Sequence, residues 1–321
     1  MFREILAIGL GLFVHSSTAK ASSFENTTSA STNPFQASIV GGTVTNDRAS
    51  PVYLHTVRFL NTGTVATDGV PSEYAGKKWG WRCSGTIVNP RVIITAAHCF
   101  PEGFFIEDPQ KPGTPKMIPF SNVKGEVFYK LSPREDSFWG ARVKKVVRHP
   151  AFSDSWMYTF PEVWNPETPV NDVAVILLES PIPTDKMPAD IVNPKLQFTS
   201  ETQFVLAGYG RTGQGAENDI PMLRSTQAPF GKPLANQSDF FIGEGNFEKP
   251  ATVQDPHGAC QGDSGGPAYI VTENKAQLAG VIARGPDAEN GGCFSSVTIV
   301  TDLRAYGAWI QSTIQTLLKS P

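Results

Sequence analysis

The sequence predicts an all-β protein that ends in a single helix. Short β-prone runs recur along it: Val52–Phe59, Thr86–Val88, Val92–Thr95, Val143–Val147, Val173–Leu178, Gln203–Leu206, Ala268–Val271, Leu278–Ile282 and Val297–Val300. Turn formers separate them, with 29 glycines and 26 prolines in 321 residues. Many short strands between turn signals belong to sandwiches and barrels. Only at the end does a helical period appear, where Leu303, Tyr306, Ile310, Ile314 and Leu317 line one apolar stripe.

Composition removes several classes. Apolar residues make up 40% and charged residues 18%, so the chain is neither disordered nor a coiled coil. The net charge is −3 with no block of one sign, which leaves no electrostatic footprint for nucleic acid. No apolar run reaches the ~18 residues of a spanning helix.

At the N-terminus, Arg3 precedes the apolar stretch Ile5–Val14, and Ala19-Lys20-Ala21 follows. That is the pattern of a signal peptide over residues 1–21, cleaved after Ala21. Export means an oxidising compartment, extracellular or periplasmic, in which cysteines pair. Cys83, Cys99, Cys260 and Cys293 allow three pairings, and their spacing does not choose among them. They contain no C-x-x-C, so a zinc site is disfavoured. Residues 22–38, rich in Ser, Thr and Asn, read as a pro-segment. The folded domain is expected over 39–321, with a Pro-rich linker near 180–194 joining its two halves.

The chemistry concentrates around Gly262-Asp263-Ser264-Gly265-Gly266. A serine between glycines sits where backbone N–H groups can meet an oxyanion. The same string satisfies G-x-S-x-G of the α/β-hydrolases, which place the histidine after the serine. The five histidines are His15, His55, His98, His149 and His257, all before Ser264, so that reading is excluded. Of these, His98 stands out, just past the apolar run Val92–Ile94 and beside Cys99. A carboxylate that orients the imidazole completes such a set, and Asp172, opening the run Val173–Leu178, is placed for partial burial.

The chain resembles the chymotrypsin/trypsin-like serine peptidases. The likeness rests on Ile39-Val40-Gly41-Gly42, Cys83-Ser84-Gly85, Thr95-Ala96-Ala97-His98-Cys99, His149-Pro150, Asn171-Asp172-Val173-Ala174, Gly208-Tyr209-Gly210 and Cys260-Gln261-Gly262-Asp263-Ser264-Gly265-Gly266-Pro267. It runs in order over about residues 39–312. The resemblance implies two six-stranded antiparallel β-barrels with the active site in the cleft between them. It implies a triad of His98, Asp172 and Ser264, and an oxyanion hole from the N–H groups of Gly262 and Ser264. It also implies the bridges Cys83–Cys99 and Cys260–Cys293. It calls for no metal or organic cofactor, and for protein or peptide substrates, protein inhibitors and a monomeric enzyme.

By the same likeness the specificity pocket is built from Gly258, Ala259, Gly285 and Thr298. Trypsin-like enzymes carry an aspartate at the Gly258 position, so a small or medium uncharged side chain is expected before the cut bond, not Arg or Lys. Cleavage between Ser38 and Ile39 would free an ammonium on Ile39 to pair with Asp263, and the uncut chain is expected to be nearly inactive. Two departures stand out. Ala283 replaces a serine that supports the aspartate, and Arg284 replaces a tryptophan. They keep a second reading open, a catalytically impaired family member that acts by binding. The 74-residue span from His98 to Asp172 is long for the family. Its extra material is expected around 101–142 and 153–170, the latter with Trp156, Tyr158, Phe160 and Trp164.

Overall fold

The computed structural model describes residues 43–44, 56–65, 71–108, 110–111, 114–129, 139–153, 170–182, 188–211, 223–243, 258–272, 275–285 and 297–319. The signal and pro-segments, Ile39, Cys293 and the four aromatics of 153–170 lie outside the described residues. Along the chain the strands are β1 (Thr43–Val44), β2 (Thr56–Val65), β3 (Lys78–Asn89), β4 (Val92–Thr95), β5 (Gly103–Glu107), β6 (Pro115–Tyr129), β7 (Trp139–Arg148) and β8 (Ala174–Leu178). There follow β9 (Asp190–Ile191), β10 (Gln203–Gly208), β11 (Arg224–Pro233), β12 (Asp239–Ile242), β13 (Pro267–Thr272), β14 (Lys275–Arg284), β15 (Thr298–Asp302) and the helix α1 (Leu303–Lys319).

The pairings make two rings. In the first half the order is β2-β3-β4-β8-β7-β6, β6 pairs back to β2, and β5 adds to β6. In the second the order is β11-β10-β13-β14-β15-β12, and β12 pairs back to β11. Every pairing within the rings is antiparallel, while the short β9 joins β14 in parallel. The expected fold, two six-stranded barrels and a C-terminal helix, is the fold observed.

Residue alternation explains how the barrels fill and meet. Successive strand residues point to opposite faces. On β10, Phe204 and Leu206 enter the second barrel's core, while Val205 and Ala207 join the core that extends into the first barrel. Phe198, Phe204, Phe230 and Phe240 pack edge-on or tilted in the second core, with ring centroids 5.1–6.3 Å apart. The runs β4, apolar but for Thr95, and β8, wholly apolar, are buried on both faces because each is an inner neighbour of the other. On α1, Leu303, Tyr306, Ile310 and Leu317 are buried, as the helical period predicts.

Two regions depart from the sequence expectation. Much of the extra material at 101–142, for which the sequence announces no strand, forms the β5–β6 hairpin, with Phe105 opposite Met117. Pro115, Pro119 and Gly125 break the alternation that announces a strand, so β6 escapes a pattern search. β11 is hidden in the same way by Pro229, Gly231 and Pro233, and its pairing with β12 shifts register between Phe230 and Pro233. The described part of the 180–194 connection is tied to both barrels. Ile182 N–H donates to Pro90 O (2.7 Å) and Ala189 N–H to Ile87 O (2.8 Å) in the first, and Val192 N–H to Leu278 O (3.0 Å) in the second.

Candidate active site

His98 lies on a 3-10 turn, Ala97–Cys99, that follows directly on β4. The turn is pinned at its base by a disulfide from Cys99 to Cys83 on β3. Asp172 is wholly buried just before β8. Its Oδ1 accepts from the His98 N–H at 2.9 Å, and its Oδ2 lies 2.6 Å from His98 Nδ1. A carboxylate accepts, so Nδ1 carries the proton of a neutral ring and Nε2 is left as the acceptor.

Asn171 aims this carboxylate. It takes a left-handed backbone, φ 57°, which asparagine tolerates better than most residues. Its Oδ1 accepts from the Tyr306 hydroxyl of α1 at 3.1 Å. Burial pushes the Tyr306 hydroxyl up to about 12, so it remains a neutral donor. Sequence reasoning missed this brace, because Asn171 and Tyr306 are far apart in the chain.

Ser264 belongs to the loop that leads into β13. Gly262 and Gly265 hold positive φ, 98° and 80°. At Gly265 a Cβ would lie 2.0 Å from Thr95 Oγ1 and 3.0 Å from Ala96 N, so only glycine lets this loop touch the base of the His98 turn. Ser264 O accepts from Ser84 N–H at 2.8 Å and stands 3.6 Å from Cys99 Sγ. The Ser264 backbone thus lies against the turn that carries His98, and His98 in turn holds Asp172. Asp263, Gly265 and Gly266 each donate their N–H to a backbone carbonyl. Among the described residues no backbone carbonyl accepts from the Gly262 or Ser264 N–H.

Ala259 N–H donates to Thr298 Oγ1 at 3.1 Å, so these two residues are neighbours. Gly258 and Thr298 are buried, and a Cβ at Gly285 would meet only Val297 O, at 3.7 Å. Arg284, 8% exposed, turns inward to Asp239 with Nη2 3.2 Å from Oδ2. Burial pushes the Asp239 carboxyl up and Arg284 opposes that shift. Ala283 is buried, and the donors to Asp172 among the described residues both come from His98.

Cys83, His98 and Cys99 cluster closely enough to resemble a metal site, but the disulfide consumes both sulfurs, so no thiolate is on offer. Cys260 is also disulfide-bonded. The partner expected for it, Cys293, lies outside the described residues, as does Ile39. No helix among the described residues is long and apolar enough to cross a membrane.

Residues 39–310 match the sequence family described as Trypsin. The chain is 24% identical over 255 residues to trypsin of Sus scrofa, covering 78% of this chain and 93% of that protein. It is 25% identical over 242 residues to serine protease 1 of Rattus norvegicus, covering 72% and 80%. A solved structure described as "Structure of GrC" aligns with a TM-score of 0.55 and 18% identity, over 86% of this chain and all of that one. At that identity the likeness is one of fold.

Asp263 gives this site a pH signature. The carboxyl is fully enclosed, and burial raises it from 3.8 to about 7, against N–H groups of Cys260 and Gly210 and the charge of Arg224. A pKa higher in the folded than in the unfolded state makes the group's contribution most favourable below about pH 4, and that contribution is lost as pH rises to about 7. On an inert Ser264→Ala background, the stability of the chain relative to its Asp263→Asn variant should therefore fall from pH 4 to pH 8. Each pH unit of that interval is worth at most about 1.4 kcal/mol. Urea unfolding at a series of pH values reads it, and a difference independent of pH refutes it.

Proposed function

The chain belongs to the trypsin family of serine peptidases, and from that membership we propose that it is a secreted serine endopeptidase made as a precursor. Residues 1–21 are the signal peptide, 22–38 the pro-segment and 39–321 the peptidase domain. Ser264 Oγ attacks the carbonyl carbon of a peptide bond while His98 Nε2 takes the hydroxyl proton. The oxyanion is met by the Gly262 and Ser264 N–H groups, each worth about 3–4 kcal/mol in the transition state. The C–N bond then breaks, His98 returns the proton to the leaving amine, and water repeats the sequence on the acyl-enzyme. Asp172 holds the ring tautomer and stabilises the imidazolium.

The observation that carries this reading is the 2.6 Å contact between the buried carboxylate of Asp172 and Nδ1 of His98, on a turn whose base the Ser264 loop touches. A second reading, a protein that binds without turnover, draws on Ala283 and Arg284. A fluorophosphonate probe separates them. The mature protein should label, and Ser264→Ala should not. Absence of labelling in both would favour the binding protein.

The specificity reading follows from a pocket without a carboxylate at Gly258. A cationic side chain there would be buried unpaired, at a cost of several kcal/mol. The inward pairing of Arg284 leaves its charge committed to Asp239. Cleavage of a peptide library should therefore follow Ala, Ser, Val, Thr or Leu in preference to Arg or Lys. Efficient cutting after Arg with none after Ala would overturn it.

Activation is the cut between Ser38 and Ile39, which yields a Ser38 carboxylate and an Ile39 ammonium that pairs with Asp263. Ser38 itself is a small residue of the kind the pocket takes, which supports self-processing, with cleavage by an outside peptidase as the alternative. Sequencing of the secreted protein should find Ile39 first in the wild type and a start near Ser22 in Ser264→Ala. An active wild type that keeps residues 22–38 would overturn the precursor reading.

A further inference from the structure

Self-processing poses a physical problem, because the uncut chain must act before it has an Ile39 ammonium. The Asp263 carboxylate is fully enclosed. Its oxygens accept from Gly210 N–H (2.8 Å) and Cys260 N–H (2.9 Å). Two amide dipoles alone are a poor substitute for a counter-charge around a buried carboxylate.

The second barrel supplies a cation. A Cβ on Gly208, the last residue of β10, would lie 2.1 Å from Asp263 Oδ1, so that position of the sheet faces the carboxylate directly. The residue paired across from Gly208 is Arg224, the first of β11. Directly opposed residues of an antiparallel pair project to the same face, with Cβ positions about 4.5–5.5 Å apart. The Arg224 side chain therefore leaves the sheet on the face that Asp263 occupies. It is 8% exposed, so its charge is held inside the protein. That charge opposes the effect of burial on Asp263. On its other side Arg224 pairs with Val44 of β1, a short way downstream of Ile39.

We infer that Arg224 is a positioning residue, an internal counter-ion for Asp263 that orders the 260–266 loop before cleavage and gives the uncut chain enough activity to cut its own Ser38–Ile39 bond. This rests on the peptidase and precursor reading above. It refines the expectation of near-inactivity: the uncut chain is slow but not silent. After cleavage the Ile39 ammonium shares the task, and Arg224 matters less.

The test places an enteropeptidase recognition sequence directly before Ile39 in the full chain. The same protein can then be assayed uncut and cut, and its own processing of that bond is blocked. The readout is the rate of fluorophosphonate labelling. The uncut chain should label more slowly than the cut one but clearly above Ser264→Ala. Arg224→Gln should slow the uncut form by about tenfold or more and the cut form by less than about threefold. Arg224→Lys, which keeps the charge, should restore the uncut form. Normal labelling of cut Arg224→Gln shows that the variant folds. Should it not fold, Arg224→Met, with an apolar stem and no charge, carries the same comparison.

An equal effect of Arg224→Gln on both forms overturns the inference, as does failure of Arg224→Lys to rescue. A cut form that labels beside an uncut form no faster than Ser264→Ala overturns the inference alone. A cut form that fails to label overturns the peptidase reading, and the inference with it.

Discussion

The N–H of Ser84 donates to Ser264 O at 2.8 Å and its hydroxyl to Gly262 O at 2.9 Å. The same hydroxyl accepts from Tyr209 N–H at 3.0 Å, and the Ser84 carbonyl accepts from Thr95 Oγ1 at 2.8 Å. One wholly buried residue of the first barrel thus holds the serine loop, the end of β10 and the base of the histidine turn. No atom of Ser84 needs to react. Its neighbour Cys83 carries the disulfide to Cys99, so the strand that grips the loop is covalently joined to the turn that carries His98. A displacement of either barrel would break several of these bonds together, because buried groups deprived of partners find no water to replace them.

Three buried carboxylates at this junction are stabilised in three ways. Asp172 is matched to the ring and N–H of His98. Asp239 is matched to the guanidinium of Arg284 and to the Asn236 amide at 3.2 Å. Asp263 has two backbone N–H groups and the more distant charge of Arg224. Burial pushes both Asp239 and Asp263 up, the latter to about 7, and of these two only Asp239 has a guanidinium in direct contact. Asp263, so poised, gains most from a new ammonium nearby, which gives the precursor reading a physical basis at the acid that would receive it.

Legibility in the sequence followed the range of each constraint. The largely apolar β4, the all-apolar β8 and the stripe of α1 declare themselves within a few residues, and all three are found where expected. The residues His98, Asp172 and Ser264 could be ordered because every histidine precedes Ser264. The β6 and β11 strands were hidden because ring closure, not side-chain alternation, makes them strands: β6 pairs with β2, and β11 with β12. Ser84 stood inside a recognised stretch but had no visible task, because its partners Tyr209 and Gly262 lie 125 and 178 residues away. Asn171 offered one faint signal, an asparagine directly before the aspartate, where a left-handed turn can be made. Arg224 offered none, since its meaning depends on which glycine lies across the sheet.

The departure at 284 has a consequence for the frame around it. A flat aromatic beside the pocket presents a wall to a substrate, whereas an arginine in that place must find a counter-charge or remain in water. Asp239, the first residue of β12, supplies one, and the pair is almost sealed, with side chains 5% and 0% exposed. β12 pairs with β15, which carries Thr298 of the pocket base. The ion pair therefore fastens the strand before Gly285 to the strand beside Thr298. An interaction that elsewhere would be read as substrate recognition here stiffens the frame of the pocket. Its charge is spent within the protein, which fits the proposal of a small, uncharged lining formed by Gly258, Ala259, Gly285 and Thr298.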